Sequence, residues 1–190
     1  MIPDNITVVS GIPRSGTSMM MQILEAGGME IFTDKMRKAD EDNPRGYYEA
    51  ESVKRLKEDD SFLKEVRGKG IKIISKLLKK LPNKFQYKLI FVHRNMDEIL
   101  CSQQQMLIRR GEVTDSISDK KLATIFQQHL KEIQGWIASN PSMDVLYVNY
   151  SDILEDSINQ VESIEQFLGR TLDIHKMAGC VDKTLYRQRR

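Results

Sequence analysis

The segment Ile6-Thr7-Val8-Val9-Ser10-Gly11-Ile12-Pro13-Arg14-Ser15-Gly16-Thr17-Ser18 constrains this chain more than any other. Four β-branched residues open it and read as a buried strand. Gly11 and Gly16 then turn the chain, and a helix is expected from Thr17 through about Gly27. A strand that turns through glycines into a helix aims several backbone N–H groups, and the positive helix end, at one point. That geometry holds a phosphate or a sulfate. The alternative, a tight turn with no ligand, fits poorly with so many Gly, Ser and Thr residues in one loop.

The rest of the sequence alternates β-rich runs with helical patterns, as a parallel sheet covered on both faces requires. A weak run lies at 29–32, and residues 33–46 read as a polar loop ending in Asn43-Pro44-Arg45-Gly46. Ile71 to Ile74 suggests a short strand, with a helix as the alternative. Leu89-Ile90-Phe91-Val92 is the clearest buried strand. Asn95 with Glu98 forms a capping box for a helix from Met96 to about Arg110. A longer helix is expected from Ser118 to Ser139, stopped by Pro141, with Leu122, Ile125, Phe126, Leu130, Ile133 and Ile137 on one face. His129 falls on that stripe and reads as a satisfied core histidine. Val145 to Val148 makes a last strand, and a helix from about Ser151 to Leu168 closes at Gly169. The expected fold is one α/β/α domain over 1–190. Its mainly parallel sheet has four or five strands, with 6–10 and 88–92 at or near the centre, in the manner of P-loop NTPases.

Composition narrows the class. The 190 residues are 40% hydrophobic and 29% charged, enough for a core without a disulfide or metal staple. No apolar run approaches a membrane span, and residues 1–5 show no signal-peptide pattern, so a cytoplasmic protein is expected. Cys101 and Cys180 read as reduced thiols. The net charge of +2 does not suggest a binder of duplex nucleic acid. Residues 69–88 nevertheless carry seven lysines and no acid. They read as the solvated face of a helix with Ile73, Ile74, Leu77, Leu78 and Leu81 opposite, or as a wall that attracts an anionic ligand.

The spacing Gly11-x4-Gly16 matches a Walker A loop, but Thr17 stands where its lysine belongs, and the loop's cation is Arg14. The strand 89–92 ends in His93-Arg94, where a phosphate-loop NTPase wants an acid for Mg²⁺. The chain is therefore expected to hold an extra anionic group and no metal. In these features it resembles the sulfotransferases that use 3′-phosphoadenosine 5′-phosphosulfate (PAPS), in a compact form. Gly11 to Ser18 is similar to their 5′-phosphosulfate loop. Arg94 and Ser102, eight apart, are similar to their 3′-phosphate pair. Asn43-Pro44-Arg45-Gly46-Tyr47-Tyr48-Glu49, Tyr150-Ser151-Asp152-Ile153-Leu154 and Phe167-Leu168-Gly169 also resemble family segments, so the likeness spans residues 6–169. Two features depart from it. Many members carry a catalytic histidine near the position of Ser75 and Lys76. Long members also have a basic C-terminal lid, for which only Lys183, Arg187, Arg189 and Arg190 are available.

The resemblance implies transfer of a sulfuryl group from PAPS to a hydroxyl or amine of a small-molecule or carbohydrate acceptor. Arg14, Ser15, Gly16, Thr17 and Ser18 would hold the 5′-phosphate, with Arg14 also meeting charge on the leaving group. Arg94 and Ser102 would hold the 3′-phosphate. Glu49 is the first candidate for the base and His93 the second. A sugar, a phenol or an acidic polymer would suit Tyr47, Tyr48 and the lysine-rich stretch equally. A kinase or NTPase with a degenerate loop and a catalytically silent nucleotide-binding module remain as alternatives.

Overall fold

The computed structural model describes residues 4–34, 36–41, 43–112 and 118–185. In chain order the elements are β1 (Ile6–Ser10), α1 (Thr17–Ala26), β2 (Ile31–Phe32), α2 (Glu51–Lys54), β3 (Gly70–Lys72), β4 (Tyr87–His93), α3 (Met96–Arg109), α4 (Asp119–Ala138), β5 (Met143–Asn149), α5 (Tyr150–Glu155), α6 (Ser157–Leu168) and α7 (Ile174–Gly179). Two 3-10 helices, Ser61–Val66 and Ser75–Lys80, flank β3. The five strands form one sheet in the order β2-β3-β1-β4-β5, and every pairing is parallel. β1 is central and β4 lies beside it, as the sequence suggests.

Each face of the sheet buries one row of alternating side chains. Val8 aligns with Ile71 on one side and Leu89 on the other. These residues pack with Ile133 and Ile137 of α4 and with Leu63, Val66 and Leu78. Val9 aligns with Lys72 and Ile90, on the opposite face. There Val9 and Ile90 meet Met20, Ile23 and Leu24 of α1, Val161 and Ile164 of α6, and Met177 of α7. The sheet thus lies between two helical layers, the three-layer arrangement that continuous apolar strands demand.

Topology places the ligand crevice. From β1 the chain crosses to β2 at one edge and returns through β3. It then passes to β4 on the other side of β1. Strand order therefore reverses at the carboxyl end of β1, where open parallel sheets bind ligands.

The structure corrects three sequence expectations in detail. The strand expected over 71–74 spans 70–72 and gives way to a 3-10 helix at Ser75. The expected helix 151–168 is two helices, because Asp156 leaves helical geometry and its carboxylate accepts from the Asn159 amide at 3.4 Å. The lysine-rich stretch 69–88 is not one helix with a solvated face; it runs through β3, a 3-10 helix, a loop and the start of β4.

Leu89 carries the central packing of one face and is fully buried. Leu89→Ala is expected to lower unfolding free energy by about 2–5 kcal/mol with an unchanged denaturant slope, measured by urea titration. A loss below about 1 kcal/mol would mean that this face is loosely packed.

Candidate active site

The loop after β1 is close-packed backbone. A Cβ on Gly11 would stand 2.4 Å from the Ser15 hydroxyl and 2.8 Å from the Val92 carbonyl. Gly16 has φ +104°, and a Cβ there would stand 2.4 Å from the Tyr150 ring. Between them Arg14 adopts φ 69°, a left-handed backbone that an arginine takes only when its surroundings enforce it. No side chain caps α1 behind Gly16, so the first-turn amides of that helix are open to an anion. The Ser15 hydroxyl is buried and has no hydrogen-bond partner. A glycine cradle, uncapped amides and an unsatisfied hydroxyl fit a tetrahedral oxyanion.

A second cationic group stands beside this loop. At the end of β4 the chain turns at Asn95, whose side chain accepts from the Asp97 and Glu98 amides and starts α3. Arg94, just before the cap, is nearly buried. Its Nε donates to Glu98 Oε2 at 2.8 Å, and its Nη1 donates to the Arg14 carbonyl at 3.2 Å. Its guanidinium lies 4.4 Å from the Tyr150 ring centroid. Ser102, two turns into α3, accepts from Arg14 Nε at 2.8 Å. Arg14, Gly16, Thr17, Ser18, Arg94, Ser102 and Tyr150 all line one cleft of about 460 Å³. The structure therefore brings the sequence-predicted phosphate residues together.

Glu49 reaches the same cleft by another route. The loop 43–49 turns through two left-handed residues, Gly46 at φ 92° and Tyr48 at φ 54°. Glu49 is then fixed by its own carbonyl, which accepts from Thr33 Oγ1 at 2.8 Å. Its carboxylate takes Arg37 Nη1 at 3.0 Å and lies 3.6 Å from Lys72 Nζ. Arg37 in turn stacks on Tyr47 at 3.4 Å.

Lys72 is a site residue that the sequence reading did not single out. Its side chain is 6% exposed, and its ammonium donates to the Tyr47 carbonyl and to Ser18 Oγ at 3.3 Å. Burial pulls its pKa down from 10.5 to about 8; the charge of Glu49 opposes that shift and Arg37 adds to it. One signal was available: a lone lysine inside Ile71-Lys72-Ile73-Ile74 puts a charge on a buried strand, which needs a partner. Tyr150 was noted only as part of a family segment, and no position in the sequence announces that its ring packs under Gly16.

His93 is placed elsewhere. It continues the Phe91 side of β4 and packs against Phe91 and Tyr147, at ring-centroid distances of 5.1 Å and 5.4 Å. It is not among the residues that line the cleft. Burial lowers its pKa. His129 is half-buried and satisfied, with Nε2 at 2.9 Å from Ser75 Oγ. Lys76 is exposed. Lys183 is described, whereas Arg187, Arg189 and Arg190 lie outside the described residues. The C-terminal segment meets the cleft through Arg45, which donates to the Cys180 carbonyl at 2.6 Å and pairs with Asp182 at 3.0 Å. Among the described residues no cluster of three or more His, Cys, Asp or Glu is set to hold a metal ion, and no helix is long and apolar enough to cross a membrane.

A family model described as the sulfotransferase domain matches residues 4–189 of the chain. The chain belongs to the sulfotransferase family. Among solved structures, this sulfotransferase is similar to STF1 of Mycobacterium tuberculosis, with 13% identity over 93% of this chain and 71% of that one, at a TM-score of 0.62. A sulfotransferase domain from the curacin biosynthetic pathway matches at 13% identity, over 95% and 78% of the two chains, with a TM-score of 0.56. The mouse sulfotransferase SULT7A1, complexed with PAP, matches at 16% identity and a TM-score of 0.55. The present chain is 93% covered in that match and spans 62% of the mouse protein. These likenesses establish the shared fold. No curated protein matches the sequence.

The depressed Lys72 pKa sets a pH test of the sulfotransferase's stability. Between about 8 and 10.5 the unfolded chain binds a proton that the folded chain has released, so stability contributed by this group rises with pH. Relative to Lys72→Met, the wild type is expected to gain about 2 kcal/mol between pH 7.5 and 9.5 in urea titrations. A pH-independent difference would show that Lys72 titrates normally.

Proposed function

We propose that the cleft transfers a sulfuryl group from PAPS to a hydroxyl or amine acceptor. The observation that carries this reading is the pairing of two anion-binding groups in one cleft: the loop before α1, and Arg94 with Ser102 beside it. A nucleotide with phosphates on both its 5′ and 3′ positions needs such a pair. The PAP complex of the mouse relative supports the same reading.

PAPS supplies the sulfuryl group already activated on a phosphate leaving group. The loop residues Arg14, Ser15, Gly16, Thr17 and Ser18, with the first-turn amides of α1, hold the 5′-phosphate end. Arg94 and Ser102 hold the 3′-phosphate. Arg14 is assigned to neutralise the charge that grows on the leaving phosphate oxygen. Glu49 takes the acceptor's proton at its carboxylate, while Lys72 and Arg37 keep that carboxylate in place. The new bond joins the acceptor oxygen or nitrogen to sulfur as the sulfur–oxygen bond to the 5′-phosphate breaks, and the electron pair of the broken bond stays on PAP. Little covalent work falls to the protein, so positioning and electrostatics carry the rate. His93, packed against Phe91 and Tyr147, is the weaker base candidate.

The kinase alternative would need an acid at the end of β4 to hold Mg²⁺. The strand ends in His93, followed by Arg94 in its pair with Glu98. We assign the chain to one domain and, as its two cysteines are too few for a disulfide framework, to the cytoplasm.

Two experiments test the assignment. Arg94→Ala is expected to weaken PAP by about 1.5–3 kcal/mol in calorimetry while adenosine 5′-phosphate binding barely changes. Equal losses for both ligands would remove Arg94 from the 3′-phosphate site. Glu49→Gln is expected to slow turnover ~10²–10⁴-fold at nearly constant PAP affinity, and His93→Asn to leave most activity. A dead His93→Asn beside an active Glu49→Gln would reverse the roles.

A further inference from the structure

A second cavity, of about 360 Å³, opens at the other end of the sheet from the cleft. Its walls include the loops that lead into β4 and β5, at Pro82-Asn83 and Asn140-Pro141. It therefore lies at the amino ends of strands whose carboxyl ends carry Arg94 and Tyr150 to the cleft. The two loops are stitched together. Asn140, 9% exposed, donates from Nδ2 to Asn83 Oδ1 at 3.4 Å, and its Oδ1 accepts from the Ser142 amide at 3.0 Å. Ser142 Oγ donates to the Asn83 carbonyl at 3.1 Å. The exposed side-chain NH₂ of Asn83 has no hydrogen-bond partner among the described residues. Helix α4 joins the two ends of the domain: Leu122 and Phe126 form part of the cleft wall, Ile133 and Ile137 are buried in the core, and Trp136 lines the second cavity. Trp136 is the chain's one tryptophan and packs half-buried against the core. Its indole N–H has no hydrogen-bond partner among the described residues either.

The charge beside this cavity has a sign. Of the seven lysines between 69 and 88, Lys69 pairs with Glu30 at 2.6 Å, Lys84 with Asp60 at 2.7 Å and Lys88 with Asp144 at 2.8 Å, and Lys72 faces Glu49 in the cleft. The other three, Lys76, Lys79 and Lys80, lie on the 3-10 helix Ser75–Lys80, are exposed, and have no ion pair among the described residues. Lys79 lines the cavity. Glu132 of α4 shares the surroundings of Lys76 and Lys79 at His129, so the ridge keeps an excess of positive charge that draws anions. The lining narrows the kind of anion. One indole and two prolines supply apolar surface, and the amide and hydroxyl groups of Asn83, Ser139 and Asn140 stand around it. A sugar ring presents a C–H face to an aromatic and hydroxyls at its rim, which complements that lining. A peptide asks instead for backbone pairing or a row of apolar pockets.

We propose that this cavity is a docking site for an acidic saccharide. Trp136 and Pro82 take a ring face, Asn83 and Ser139 its hydroxyls, and Lys79 with Lys80 its sulfate or carboxylate groups. The volume sits near the lower end of ligand pockets, about 300–1,000 Å³, so one sugar enters and the chain continues along the lysines. The 3-10 helix that carries them starts where the Ser75 amide bonds the Gly11 carbonyl, so Lys76 leads from the cavity back toward the phosphate loop. The site is separate from the transfer chemistry and does not rest on it.

The single tryptophan reports on the site directly. A heparin tetrasaccharide titrated into the full chain, with and without PAP, is expected to change Trp136 fluorescence and to bind about tenfold tighter than a neutral dextran tetrasaccharide. Lys79→Gln and Asn83→Ala are each expected to weaken it about fivefold, with PAP affinity changed less than about twofold. Lys176→Gln removes an equal charge from α7, on the opposite face of the sheet, and should leave heparin binding unchanged. Equal losses from Lys79→Gln and Lys176→Gln would mean attraction by net charge alone and overturn the proposal. Hexaglutamate binding as tightly as heparin would make the occupant an acidic peptide and overturn it too. Calorimetric binding with unchanged fluorescence, or binding abolished by PAP, puts the saccharide elsewhere, and the proposal falls. It falls equally if the heparin tetrasaccharide does not bind at all.

Discussion

One guanidinium organises the polar end of this molecule. Arg94 stands at the end of β4 and touches three other segments at once: Glu98 in α3, the Arg14 carbonyl in the phosphate loop, and the Tyr150 ring at the start of α5. Tyr150 in turn fills the space beneath Gly16. A cation this deeply buried, at 9% exposure beside a carboxylate at 7%, is tolerable only when fully bonded, since breaking such a pair strands a charge. The same contacts hold the left-handed backbone at Arg14 in place. Loop, α3 and α5 are therefore tied to one another around the cleft proposed to hold the nucleotide. Contacts of that kind are what the proposed transfer would draw on, since positioning and electrostatics carry such chemistry.

The fold was legible wherever local pattern and tertiary role coincide. β1 and β4 read as strands because both faces of a central parallel strand are buried, which leaves an uninterrupted apolar run. Asn95 read as a cap and is one. β3 was read too long because Ile73 and Ile74 continue the apolar pattern. In the fold, the Ile73 and Ser75 amides still bond the Val9 and Gly11 carbonyls in step with the ladder, but the chain winds into a 3-10 helix from Ser75. Nothing local in the sequence marks that change. Asp156 shows the opposite error: an acid inside a helical pattern looks tolerable, yet it caps a new helix.

The candidate site divides the same way. Arg14 and Arg94 were singled out because each sits where a strand gives way to a helix, and Ser102, two turns into α3, was singled out by the family resemblance; all three line one cleft. Lys72 could not be assigned, because its environment is made by chain 25 residues away: the Tyr47 carbonyl and, beyond it, Glu49. His93 and His129 illustrate the limit of residue chemistry as a guide. Both have suitable rings, and packing turns one toward Phe91 and Tyr147 and the other toward Ser75.

The split character of α4 has a consequence for how such a protein changes over evolutionary time. Its last two turns are cemented into the core by Ile133 and Ile137, while Leu122 and Phe126 bear on the cleft and stand outside the core cluster. Substitutions at the free end can reshape that wall without disturbing the sheet, because the anchored end absorbs none of the change. The helix works as a beam fixed at one end, with inheritance of the fold at the root and room for divergence at the tip.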